Sequence, residues 1–141
     1  MIRVALLHPH PPVLAALRRL VDRAPDFALV AAALDGRSLL EQLRWMRPDV
    51  VVLGDHLTPD TPSLVRVLKD EFGAAVAVFS TRVTPGLTSA ARMARADGIV
   101  DGAGQLPGLL EEIRRVARDD TSQAPLDSTE LSPGDALSRA A

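Results

Sequence analysis

Four large apolar residues stand in a row at Val50-Val51-Val52-Leu53, with no polar residue among them. A strand with one wet face alternates apolar and polar. A run without alternation is covered on both faces, as in parallel sheets buried under helices. The run breaks at Gly54-Asp55-His56 and then at a Thr58-Pro59 turn. In open parallel sheets, ligands and chemistry gather beyond the carboxyl ends of the strands. Asp55 is therefore the first carboxylate to examine.

The rest of the chain surrounds this strand with more of the same kind. Ile2 to Leu7 is a short buried strand, stopped by His8-Pro9-His10-Pro11-Pro12, because prolines continue neither a ladder nor a helix. Pro12 fits a first helical turn, and Val13, Leu14, Leu17, Leu20 and Val21 then recur at helical spacing. Phe27 to Ala33 reads as the second strand, and 38–46 as a helix with Leu39, Leu40, Leu43 and Met46 inward. Trp45, at that helix's end, is expected to pack. Asp60-Thr61-Pro62-Ser63 has N-cap character and leads into a third helix through Phe72, stopped at Gly73. Ala74 to Phe79 is the fourth strand, ending in Ser80-Thr81. A fourth helix over 87–96, a very short strand at Ile99-Val100, and a last helix opened by Pro107 complete the pattern.

Five strands alternating with five helices predict an α/β fold, a doubly wound five-stranded parallel sheet between two helical layers. Right-handed crossovers with a switch after the first strand give the order 2-1-3-4-5. Strands one and three are then neighbours, and His8 and Asp55 share one crevice. From Asp119 onward large apolar residues thin out and turn formers dominate. The expected organisation is a domain over 1–118 followed by a disordered tail or linker over 119–141.

The totals exclude several classes of function. A length of 141 residues suits one domain, and the lack of cysteine rules out disulfides and thiolate metal sites. A net charge of −2 gives no reason to expect nucleic acid or anionic membrane as a partner. No apolar segment is long enough to span a bilayer and no signal-peptide pattern is visible, so a cytoplasmic protein is expected. Lys69 is the only lysine.

Several segments, in order and at matching distances, resemble the receiver domain of bacterial response regulators in two-component signalling. They are Ile2-Arg3-Val4 through His10-Pro11, Arg47-Pro48-Asp49-Val50-Val51, Asp55 with Pro59 four residues on, Val76 to Ser80, and Ala96-Asp97-Gly98. The likeness is strongest to the branch whose receivers precede a LuxR-type helix-turn-helix, and Leu131-Ser132-Pro133 resembles the opening of that output domain. The resemblance covers about residues 1–118 and implies a flavodoxin-like receiver fold. In that family an acidic pair after the first strand and an aspartate after the third hold magnesium, and that aspartate accepts a phosphoryl group. A Ser or Thr after the fourth strand and a Lys after the fifth contact the phosphoryl oxygens. Magnesium needs hard oxygen ligands, and the transferring phosphoryl needs its charge neutralised.

This chain departs from that pattern at most of those points. His8 and Pro9 stand where the acidic pair belongs, and Gly102-Ala103-Gly104 where the lysine belongs; Ser80 is retained. Counting back from Pro59 puts the phosphoacceptor at Asp55, whereas counting forward from Asp49 puts it at Gly54. A bulge at Gly54 would absorb the extra residue and leave Asp55 facing the crevice. The crevice residues are thus His8, His10, Gly54, His56, Ser80 and Thr81, with Asp55 as the phosphoacceptor candidate.

No cofactor is expected, and magnesium only if Asp55 is a working acceptor. His8, His10, Asp55 and His56 contain N and O donors of the kind zinc takes, but their spacing is too loose to assign a metal. Ala90, Ala91, Met93 and Ala94 suggest an interaction face, since in receivers the side made by the fourth helix, fifth strand and fifth helix contacts partners or a second copy. The leading expectation is an atypical receiver acting as a protein-interaction module in signal transduction or transcriptional regulation. It is not an enzyme, and works independently of phosphorylation, either constitutively or in response to a small ligand. One alternative is a conventional receiver phosphorylated on Asp55 by a sensor histidine kinase. Another is a flavodoxin-like domain that binds a small ligand or metal.

Overall fold

The computed structural model describes residues 1–54, 58–102 and 106–122. Strands and helices alternate strictly: β1 Ile2–Leu7, α1 Pro11–Asp22, β2 Phe27–Ala33, α2 Gly36–Gln42, β3 Val50–Gly54, α3 Thr61–Asp70, β4 Ala75–Ser80, α4 Pro85–Met93, β5 Gly98–Asp101 and α5 Leu106–Ser122. All pairings are parallel and the sheet order is β2-β1-β3-β4-β5, as the sequence predicts. The lack of alternation in β3 and β4 has the expected cause, since every residue of both strands is buried.

The pleat sends successive side chains to opposite faces, so the sheet separates two cores. One holds Leu6, Val50, Val52, Phe79 and Val100 against Leu17 of α1 and Ile113 of α5. The other holds Val51, Leu53, Val76 and Val78 against Leu39, Leu68 and Ala91 of α2, α3 and α4. A fully buried side chain such as Leu39 or Leu68 stabilises the fold by about 1.5–3 kcal/mol. The sole lysine belongs to this framework. Lys69 pairs with Asp97, whose other oxygen accepts the Val76 amide at 2.7 Å, so the pair clamps α3 to the start of β4.

Helix ends explain most boundaries. Thr84 caps α4 by accepting the Leu87 amide at 3.1 Å, with proline following at the first helical position. Gly73 ends α3 at a φ of +66°, and Arg95 takes the same left-handed conformation after α4, at +67°. The Arg95 turn stops α4 at Met93, short of the expected Ala96, because the Ala96 amide folds back to the Ala91 carbonyl at 3.0 Å. The last helix runs through Ser122, past the expected limit at 118; residues 123–141, where the tail is expected, lie outside the described residues.

The second helix is a correction. It ends at Gln42, not Met46, and Trp45 is 83% exposed instead of packed. Gln42 spends both ends of its amide on the backbone N–H and C=O of Ala32, at 2.9 Å each, and so covers part of the β2 edge. Leu43 is the last residue of this segment to reach the core. Pro48 disfavours helix immediately before it, so Trp45 and Met46 fall in the exposed connection to β3, where Arg44 lies over the Trp45 ring at 5.6 Å.

Candidate functional site

The carboxyl ends of β1, β3, β4 and β5 meet in one crevice, because β1 and β3 are adjacent and β3, β4 and β5 follow in order. β3 stays in register with β4 from Val50–Ala75 to Gly54–Phe79. The ladder carries no bulge as far as Gly54, where the described part of the segment ends, and the one register shift among the described strands falls between Val4 and Ala5 of β1, against β2. Gly54 is therefore an ordinary ladder residue, on the same face as Val50 and Val52. It sits where counting forward from Asp49 puts the acceptor. Asp55 and His56 lie outside the described residues, as do Ala103 and Gly104.

What stands beside Gly54 is His8. A Cβ on Gly54 would lie 2.6 Å from the His8 Cδ2 and 3.0 Å from its Cγ. The imidazole thus occupies the space that any side chain at position 54 would need. His8 is only 5% exposed and is fixed from two directions. Its Nδ1 accepts the His10 amide at 3.1 Å, and its ring meets the Phe79 ring edge-on at a centroid distance of 6.4 Å. The tautomer follows from the first contact: a ring nitrogen that accepts from a backbone N–H carries no proton. His10 precedes α1 and is exposed, with its ring 5.4 Å from that of His8.

Phe79 closes the other side. A Cβ on Gly102, within the stretch that matches the family's lysine, would collide with the Phe79 ring edge, with Cζ at 2.6 Å. Ser80 is fully buried. Its Oγ donates to the Arg82 carbonyl and accepts the Arg82 amide, both at 2.9 Å, which folds the hydroxyl into its own turn. Thr81 is exposed at the rim. The structure therefore brings His8, Gly54 and Ser80 to one place. It adds Phe79 and Gly102, which the sequence reading gave no joint role.

Magnesium does not fit this arrangement. At the two positions of the acidic pair stand a proline, with no side-chain donor, and a buried imidazole already spent on the His10 amide. Histidine nitrogen is a poor partner for a hard cation. Among the described residues no group of His, Asp and Glu is placed to hold a metal ion. Of the zinc candidates, His8 and His10 come together, while Asp55 and His56 lie outside the described residues.

The expected interaction face needs correcting. Ala91 and Ala94 are buried in the core between α4 and the sheet, and Ala90 is half-buried; Met93 alone of the four is open, at 81% exposure. The small residues are there to let α4 approach the sheet closely.

Comparison with solved structures gives the same fold throughout. A LuxR-family two-component response regulator from Aurantimonas is 27% identical, with a TM-score of 0.72 over 84% of this chain and 86% of that one. The receiver domain of NarL from Mycobacterium tuberculosis is 21% identical, with a TM-score of 0.71 over 83% of this chain and 96% of that one. CheY6 of R. sphaeroides, solved in complex with the P1 domain of CheA3, is also similar: 22% identity and a TM-score of 0.71, covering 84% and 97%. No protein-family model and no curated protein matches the chain. The domain has the receiver fold of response regulators, including those of the LuxR family. Among the described residues no helix is long and apolar enough to cross a membrane.

Proposed function

We propose that the domain is an atypical receiver that passes a signal through protein contacts and does not use phosphorylation. The observation that carries this reading is the His8 ring packed on Gly54 in the space of an acceptor side chain. Phosphoryl transfer in this fold is almost wholly positioning and charge neutralisation. Here an imidazole and a proline replace the acidic pair, a phenyl ring blocks the Gly102 position, and the Ser80 hydroxyl is engaged with Arg82. The remaining role is that of an interaction module in signal transduction, without turnover of a substrate.

The contact surface on this reading is the α4 side. From Thr81 to Ala96 the chain carries Arg82, Arg92 and Arg95 and no acidic residue. Met93 stands in the open and shares a shallow depression with Arg66, Lys69, Asp70 and Arg95. An apolar side chain beside several cations suits a partner that offers an apolar pocket with acidic groups at its rim. The CheY6 complex supports protein contact as a mode of action for this fold.

The test is an amide NMR spectrum of residues 1–141, titrated with magnesium and then with beryllium fluoride. The expected result is a well-dispersed spectrum that responds to neither. Saturable shifts at Ser80 and along α4, abolished by Asp55→Ala, would overturn the proposal in favour of a phospho-receiver using Asp55.

A further inference from the structure

The depression beside Met93 lies between α3 and the end of α4, with a volume of about 250 Å³. Pro62 and Met93 give it apolar surface. Arg66, Lys69 and Arg95 line it, and among the described residues Asp70 is the one acid in the lining. Lys69 is already spent on Asp97. The side chains of Arg66 and Arg95, and of Arg92 next to Met93, make no hydrogen bond or ion pair among the described residues. Apolar surface beside uncommitted guanidinium groups calls for an occupant that sets carboxylates close to apolar side chains.

The chain itself carries such a segment. Over 123–141, outside the described residues, Asp127, Glu130 and Asp135 stand against Arg139 alone, whereas basic side chains outnumber acidic ones over 1–118. Leu126-Asp127-Ser128-Thr129-Glu130-Leu131 places two carboxylates between two leucines. The segment is also tethered on the right side of the molecule. A Cβ on Gly98, at the start of the edge strand β5, would lie 2.9 Å from Val116 of α5, and Met93 precedes Gly98 by only a short turn. From Val116 the helix runs about 9 Å further to Ser122. Residues 123–131 extend to about 30 Å, enough to bring Leu131 round the β5 edge to Met93. A tethered segment meets its surface at an effective concentration of about millimolar, so even a weak contact is populated.

We propose that residues 126–131 fold back in cis onto this depression, with leucine against Met93 and with Asp127 and Glu130 among Arg66, Arg92 and Arg95. They hold the α4 side closed until a partner of the same chemistry displaces them. That consequence rests on the preceding proposal, which makes the α4 side the contact surface; the docking itself does not. A domain that responded to beryllium fluoride and also docked its own tail would refute the preceding proposal and leave this one intact.

The test uses the full 141-residue chain, labelled with ¹⁵N. It contains no cysteine, so Ser128→Cys supplies a single thiol for a nitroxide spin label. The amide signals of Val65, Met93 and Arg95 are expected to be lost to the label. They should return in Asp127→Asn/Glu130→Gln, which alters only the tail, and in Arg66→Glu/Arg92→Glu, which alters only exposed side chains of the domain. Signals near the end of α5 should stay broadened throughout, because the tether keeps the label close to them. Three outcomes with the labelled chain overturn the proposal: survival of the three signals, equal loss along α1, or loss that neither charge variant reverses. Their loss in a ¹⁵N chain without the nitroxide, mixed with an unenriched chain that bears it, would also overturn it by placing the tail of a second copy there.

Discussion

Two hollows lie side by side at the carboxyl end of this sheet, and they have been treated in opposite ways. In the crevice over β3 and β4, two glycines stand where the family pattern has larger side chains, and each has an aromatic ring against it: His8 on Gly54, Phe79 on Gly102. In the groove between α2 and α3, leucines line a space that no described residue fills. A tightly packed interior transmits any change of volume as strain, whereas an open depression absorbs it. The first hollow therefore contributes more to holding the fold together than the second. Matched substitutions in the two places should separate these roles.

The largest difference is expected from truncation. Phe79 is 6% exposed and touches β5, His8 and the core below. Phe79→Ala should cost about 3–5 kcal/mol in urea unfolding, as for other buried aromatics. Leu64→Ala in the groove wall removes a half-buried side chain from a space already open, and should cost about 1 kcal/mol. Equal losses from the two variants would mean that the groove is packed as firmly as the crevice, and the comparison would fail.

The next test exchanges glycine for alanine in each hollow. At Gly54 the new Cβ would lie 2.6 Å from a buried, hydrogen-bonded ring, so the ring or the strand must move. A loss of about 1–3 kcal/mol is expected. At Gly36 the nearest atom is the flexible Cδ2 of Leu64, at 3.3 Å, and the position lies in the first turn of α2 without a positive φ. Gly36→Ala should therefore be neutral to stabilising by about 1 kcal/mol, since alanine loses less backbone entropy in a helix. The double variant Gly54→Ala/His8→Gly should recover most of the Gly54→Ala loss. Simple additivity there would show that the two residues do not share the space.

How much of this the sequence discloses differs between the sheet and the site. The topology is legible because burial on both faces leaves an unmistakable mark: Val50–Leu53 and Ala75–Phe79 carry no polar residue. The departure from the receiver pattern is legible too, since His8, Pro9 and Gly102 stand where the resemblance puts acids and a lysine. What fills the vacated space is not. Phe79 looks like any strand residue, and only the register that sets it opposite Gly54 and beside Gly102 reveals its second role. One extra residue before Pro59 suggests a bulge at Gly54, whereas the ladder stays regular through Gly54; residues 55–57 lie outside the described residues. Trp45 misled for another reason: hydrophobic spacing continues through Met46, while the helix ends at Gln42, whose side chain is bound to the Ala32 backbone. The groove gave no signal, because Leu34, Leu40 and Leu64 are ordinary core types until their exposure is seen.

The smallest expected effect lies at the other end of the sheet and serves as the control for both hollows. Asp26, just before β2, accepts two hydrogen bonds from Arg114 of α5, at 2.7 and 2.9 Å, and Arg114 also stacks over Phe27 at 5.1 Å. Those bonds hold the Asp26 carboxyl below its ordinary value of 3.8. The unfolded chain then takes up this proton at a higher pH than the folded one. Stability from the pair is full above the ordinary value and is lost as pH falls through the lowered one. Asp35 shifts the same way, chiefly through the Ser38 amide, so wild-type acid sensitivity has more than one source and Asp26 must be isolated by subtraction. The gap in urea midpoint between wild type and Asp26→Asn should be constant from pH 7 to about pH 5 and close as the solution is acidified below about pH 4. A gap that persists at pH 2 would assign the contribution to the shape of the Arg114 contact and not to the charge on Asp26.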